Sequence, residues 1–325
     1  MAIALLAALP AAAPAAFAAG NASGAAPGSR WGQDYLPNVP VTTHEGKTLR
    51  FYDDLIKDKI VVISFIYTSC ADLCPLTTAR LAQLQEKLGD SVGRDIFFYS
   101  ITVDPERDSP EVLKKHAEAF HIGPGWLFLT GKPEDIKSIR YKLGDRRQKL
   151  NEHTQEIRLG NEATGEWERA SLLGDLDRLV MTIRAMNPSW REQVHTPQHS
   201  DAGNTVYQLS DEPGQALFKK LCAACHTVGV GDRVGPDLQG VTARRDRAWL
   251  SSFIMAPEKK HARKDPTALA LAAKFPGVRM PNLGLTENDA ADLIAYLEAQ
   301  SKRASAEKSA AADHGHHHHH HEHRH

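Results

Sequence analysis

The chain has 325 residues, enough for two domains with separate cores. Its 39 basic and 40 acidic side chains leave a formal charge of -1 with no strong basic run, which argues against nucleic acid as a partner. Only four cysteines are present, and they fall into two motifs, Cys70-Ala71-Asp72-Leu73-Cys74 and Cys222-Ala223-Ala224-Cys225-His226, so none is left for a routine structural disulfide.

Residues 2–19 are apolar and end in Ala16-Phe17-Ala18, the small-residue pattern of an export-leader cleavage site. No Lys or Arg precedes Arg30, so the usual cationic start is missing. A membrane anchor is the rival reading, weakened by the alanine content and by Pro10 and Pro14. Residues 1–28 are assigned to an export leader and flexible segment. The expected location is the periplasm or the exported side of the bacterial cytoplasmic membrane, with membrane association as the alternative.

Residues 29–187 read as an α/β domain. The β-branched run from Lys59 to Tyr67 predicts a strand buried on both faces. The first cysteine motif follows at once, and Pro75 opens a helix whose apolar face carries Leu76, Ala79, Leu81, Leu84 and Leu88. A second strand over Ile96–Val103, a helix over Pro110–Phe120 and a third strand near Trp126–Leu129 give the alternation of a mostly parallel sheet. A polar helix over Pro133–Leu143, a hairpin turning at Asn161–Gly165 and an amphipathic helix over Asp175–Met186 complete the unit.

Cys70 and Cys74 sit between a buried strand and a helix, as in thioredoxin-like redox motifs, where the helix N-terminus lowers thiol pKa. Three residues separate them instead of two. Cysteines four apart can share one side of a turn, near enough to oxidise together or to chelate a soft metal such as Cu(I) or Zn. A structural disulfide is the bland alternative. With Phe65-Ile66-Tyr67-Thr68-Ser69-Cys70-Ala71-Asp72-Leu73-Cys74-Pro75, Val103-Asp104-Pro105-Glu106-Arg107-Asp108-Ser109-Pro110 and Trp126-Leu127-Phe128-Leu129-Thr130-Gly131, the segment from Trp31 to Met186 resembles the Sco/SenC copper proteins. These are thioredoxin-fold assembly factors for the dinuclear copper centre of cytochrome oxidase. The resemblance implies copper held by Cys70, Cys74 and His153. Ala71 replaces the family's usual proline, and Glu152 its usual aspartate before the histidine. Asp104 is either a second layer behind the site, a docking residue or the cap of its own turn. His116 and His121 are expected to have no bearing on the site.

Residues 188–206 lose periodicity and gain Pro, Ser and His, the composition of a linker. Residues 207–301 read as short helices and loops, with a helix over Glu212–Leu221, another over Ala248–Met255 and a last one opening at Thr286 with a capping-box-like start. The CxxCH pentapeptide predicts covalent haem c, with Cys222 and Cys225 in thioether links and His226 on the iron. Gly235-Pro236-Asp237-Leu238, Met280-Pro281 and Tyr296-Leu297 add to it, and the segment resembles a small class I cytochrome c. Met280, before a proline in a Gly/Pro-rich loop, is the preferred sixth ligand over Met255 and His261. The resemblance gives Pro236 the role of orienting the His226 ring through its carbonyl.

Nine of the 17 histidines crowd the last twelve positions, and residues 302–325 are set apart as a His-rich tail, native or a purification tag. The expected fold is an α/β thioredoxin-like domain followed by a small all-α cytochrome c domain. The expected function is a metallochaperone and electron carrier that holds copper and one haem c. Its partners would be the copper-bearing subunit of cytochrome oxidase, or another periplasmic copper or thiol client, and an electron-transfer partner. A thiol-disulfide oxidoreductase using Cys70 and Cys74 is the enzymatic alternative, and a redox sensor a third.

Overall fold

A computed structural model describes residues 32–70, 73–147, 149, 152, 155–190 and 213–316, with backbone alone for Pro213 and residues 304–316. The leader, most of the linker with His195 and His199, the end of the His-rich tail, Ala71, Asp72 and His153 lie outside the described residues.

Strand β3 (Ile60–Ile66) is buried at every position, as its run of β-branched residues requires. It pairs in parallel with β4 (Ile96–Thr102), which pairs in parallel with β5 (Trp126–Thr130). Antiparallel hairpins flank this centre: β1 (Pro40–Thr43) with β2 (Thr48–Arg50) beside β5, and β6 (Glu156–Asn161) with β7 (Glu166–Ser171) beside β3. The order is β2-β1-β5-β4-β3-β6-β7, so parallel pairing is confined to the centre and the expected mostly parallel sheet is corrected. The first hairpin escaped sequence reading because Pro-Val-Thr-Thr and Thr-Leu-Arg carry almost no apolar run.

Side-chain alternation sends Ile60, Val62 and Ile66 to one face and Val61, Ile63 and Phe65 to the other. Helices α1 (Cys74–Leu88), α2 (Pro110–Ala119) and α4 (Leu176–Ala185) cover the first face, and α3 (Pro133–Lys142) covers the second. This is a thioredoxin-like α/β arrangement. The single apolar face read for α1 divides in two: Leu81, Leu84 and Leu88 enter the sheet core, whereas Leu76 and Ala79 turn to the C-terminal half.

That half is helical. α5 (Pro213–Leu217) passes into a π-type turn, Phe218–Cys222, so the expected single helix changes winding just before the haem motif. α6 (Val241–Arg244), α7 (Arg247–Met255), α8 (Pro257–Ala262), α9 (Pro266–Lys274) and α10 (Glu287–His316) follow. Phe218, Leu250, Ile254, Leu293, Ile294 and Leu297 form its core. α10 continues well past Ser301 into the segment set apart as the tail. None of the described helices is long and apolar enough to cross a membrane.

Candidate thiol and haem sites

The chain leaves β3 at Ile66 and enters α1 at Cys74, where Pro75 suits the first helical turn because its missing N–H would have no partner there. Cys70 and Cys74 are both buried and are not joined by a disulfide. The Cys74 amide donates to Cys70 Sγ at 3.5 Å, so the helix start points a backbone donor at the other sulfur. The Cys74 thiol is nevertheless pushed far up, first by its hydrogen bond with Cys70 and then by burial, against the charge of Arg147. The lowered pKa expected from the helix N-terminus is therefore corrected for Cys74: a hydrogen bond to a second sulfur together with burial favours the neutral thiol.

Asp108 anchors the approach to Cys70. Its fully buried carboxylate accepts from the Thr68 amide at 3.2 Å and from the Thr68 and Thr102 hydroxyls. Asp104, the residue singled out by sequence, instead pairs with Arg107 at 3.1 Å within its own turn. Sequence could not rank these two, because both aspartates sit in one turn-rich stretch. His116 was also set aside, yet it is buried and its Nε2 lies 3.3 Å from Thr78 Oγ1. The Thr78 hydroxyl donates to the Cys74 carbonyl at 3.1 Å, so its one proton is committed and Nε2 must be the donor. Burial pushes the His116 pKa down to about 4, which keeps the ring neutral.

The segment before His153 is held by charge. Arg147 bonds Asp145 through Nε at 2.6 Å and donates to the Glu152 carbonyl at 2.9 Å, while Arg140 bonds Asp145 at 2.9 Å. Among the described residues no three His, Cys, Asp or Glu side chains converge as a metal site. The two thiols are thus brought together, and the third expected ligand is not among the described residues.

In the helical half the His226 ring donates from Nδ1 to the Pro236 carbonyl at 2.9 Å, leaving Nε2 as the available lone pair. Burial lowers the His226 pKa, which keeps the imidazole in its metal-binding neutral form. Cys222, His226, Trp249, Phe253, Met280 and Leu293 line a cavity of about 480 Å³. A smaller cavity of about 90 Å³ adjoins it, lined by Cys225, His226, Met280, His261 and, from α1, Leu76. Met255 lines neither cavity, although both methionines pack against the domain core. Paired thiols, an oriented imidazole, a thioether and apolar walls fit a haem, so the residues present suit the group that the motif implies.

Contacts join the two halves. Arg80 donates to the Lys220 carbonyl at 3.1 Å and Gln83 to the Ala223 carbonyl at 3.0 Å, while Glu86 pairs with Arg233 at 3.0 Å. Leu76, Ala79 and Phe120 close over Ala224 and Val234.

Two buried thiols at the strand–helix corner of a thioredoxin-like sheet are thus followed by an apolar cavity around CxxCH in a helical unit. The SCO1/SenC family model matches residues 36–165 and the cytochrome c model residues 212–301. A SCO2-like protein of Rickettsia prowazekii is 38% identical over 93 residues, 29% of this chain and 44% of that protein. A SCO1 homologue of Bacillus subtilis is 39% identical over 77 residues, 23% of this chain and 39% of that protein. The chain thus spans less than half the length of these relatives. Among solved structures, Arabidopsis thaliana ScoI with copper bound is 23% identical with a TM-score of 0.39, covering 49% of this chain and 99% of that one. A SCO1/SenC family lipoprotein from Bacillus anthracis is 25% identical with a TM-score of 0.40, covering 46% and 94%. The chain thus combines a SCO1/SenC domain with a cytochrome c domain.

Proposed function

We propose that this is an exported copper-binding assembly factor for the copper centre of cytochrome oxidase, with its own haem c electron-transfer module. Support comes above all from the two buried thiols converging at the start of α1 in a SCO1/SenC domain. Cys70, Cys74 and His153 hold the copper as cargo, and soft thiolates favour the cuprous ion. Cys222 and Cys225 attach the haem, His226 and Met280 take its two axial positions, and Pro236 fixes the imidazole. When bound, that haem supplies or accepts single electrons at the raised potential of His/Met ligation.

Electron counting favours copper as the other party. Cu(II)/Cu(I) is a one-electron couple, whereas a dithiol needs two electrons at about -120 to -300 mV, so reducing a disulfide from such a haem runs uphill. The client is the copper-bearing oxidase subunit or another exported copper or thiol protein, met on the exported side of the membrane. The second reading, a thiol-disulfide oxidoreductase, draws on the hydrogen-bonded, buried Cys70–Cys74 pair.

His153→Ala separates the two. Copper retention by tail-less protein should fall strongly while dithiol exchange stays largely intact. Retention equal to the unaltered protein would remove the three-ligand reading.

A further inference from the structure

Helix α1 presents a second face. Leu76, Ala79, Arg80, Gln83 and Glu86 recur at three- and four-residue steps and share one side of the helix. Every one of them meets the cytochrome half. Arg80 and Gln83 bond the carbonyls of Lys220 and Ala223, which bracket the turn that delivers Cys222. Glu86 pairs with Arg233 at 3.0 Å, ahead of Gly235 and Pro236. Gln83 has no described partner for its buried Oε1, so its amide is committed to the cross-domain bond alone. Arg80 also binds the carbonyls of Leu172 and Gly174, so one buried cation ties α1, the end of the β6–β7 hairpin and the haem turn together. At the far end, Gly277 comes against Ala119 of α2.

We propose that Arg80, Gln83 and Glu86 are positioning residues: they latch the haem-binding turn onto the helix that begins with Cys74, so that exchange between copper and haem takes place inside one docked unit. The proposal rests on the coupled reading given above. Leu76 shows the consequence, since it follows Cys74 by two residues and lines a cavity with Cys225 and His226. The exchange is balanced: one electron leaves ferrous haem iron, which becomes ferric, and Cu(II) becomes Cu(I), with no bond, proton or further reagent involved.

The test uses the full chain, haem-loaded, with Gln83→Glu and Glu86→Arg combined. These changes set a carboxylate against the Ala223 carbonyl and an arginine against Arg233, and they leave the bonds of Arg80 within its own domain untouched. Rotational tumbling reports docking, and haem absorbance after Cu(II) is bound to the reduced protein reports exchange. The unaltered protein should tumble as one body and the double variant as two, with haem spectrum and copper retention unchanged. Exchange should slow about tenfold rather than vanish, because a tether alone keeps linked modules at an effective concentration on the order of millimolar. A variant that still tumbles as one body, or that undocks without slowing, overturns the latch. Absence of exchange in the unaltered protein would instead remove the electron coupling, while the tumbling comparison still decides whether the latch docks the domains.

Discussion

Gly235 and His226 are packed so closely that a Cβ on Gly235 would lie 2.7 Å from His226 Cε1 and 3.0 Å from Nδ1. The glycine therefore leaves room for the ring in the orientation that the Pro236 carbonyl selects. Gly235→Ala should force the imidazole or the 235–236 backbone aside, at a cost of about 1–3 kcal/mol. Covalent haem should remain on Cys222 and Cys225, with altered axial-ligand absorbance and a lower midpoint for unfolding of the haem domain. An unchanged spectrum and midpoint would show that the ring has slack the geometry denies.

His116 makes stability depend on pH. Its pKa is about 4 when buried and 6.5 in the unfolded chain, so between these values the unfolded state binds more protons. The stability it supports is fully present above pH 6.5 and drains as pH falls toward 4, by about 3 kcal/mol in all. Urea unfolding of the unaltered protein and of His116→Gln across that window checks this. The variant should show a flatter profile on the acid side.

Met280 and Met255 should behave differently. Met280 lines both cavities with His226, whereas Met255 lines neither and only packs against the core beside it. Met280→Ala should keep the covalent haem but change its spectrum and lower its reduction potential, since a weak-field thioether is lost. Met255→Ala should cost about 2–4 kcal/mol of stability with the haem spectrum preserved. Potentiometry and thermal unfolding of both variants decide the assignment, and reversed results would exchange the roles.

Asp108 holds Thr68, and through it the chain entering Cys70. Asp108→Ala leaves the Thr68 and Thr102 donors without their acceptor, which should destabilise the domain by about 2–3 kcal/mol. Asp108→Asn keeps an acceptor oxygen and should recover part of this. Copper retention should follow the same order, and equal retention in both variants would separate Thr68 from the thiol site.

Much of this was legible from local chemistry. The β3 run, Pro75 at the helix start and CxxCH each carry their meaning within a few residues, because a doubly buried strand, a helix N-terminus and a tethered haem each impose a strict local pattern. The β1–β2 hairpin was not legible, since its strands are only four and three residues long and carry almost no apolar run. Neither was the second face of α1: Leu76 and Ala79 satisfy the same helical period as Leu81 and Leu84, and only the tertiary arrangement shows that they serve another domain. His116 and Asp108 stayed hidden because burial converts an ordinary polar residue into an anchor without changing its neighbours in the chain.

Ala224 lies inside the haem pentapeptide, yet it is only 2% exposed beneath the first helix of the other domain. An apparatus that joins porphyrin vinyl carbons to the flanking sulfurs from this side would meet α1 covering the strip. Biogenesis is therefore expected to follow a fixed order, with pigment attached first and the two halves closing afterwards. A precursor cross-linked shut across Gln83 and Ala223 should emerge colourless, and a fully pigmented product would break that order.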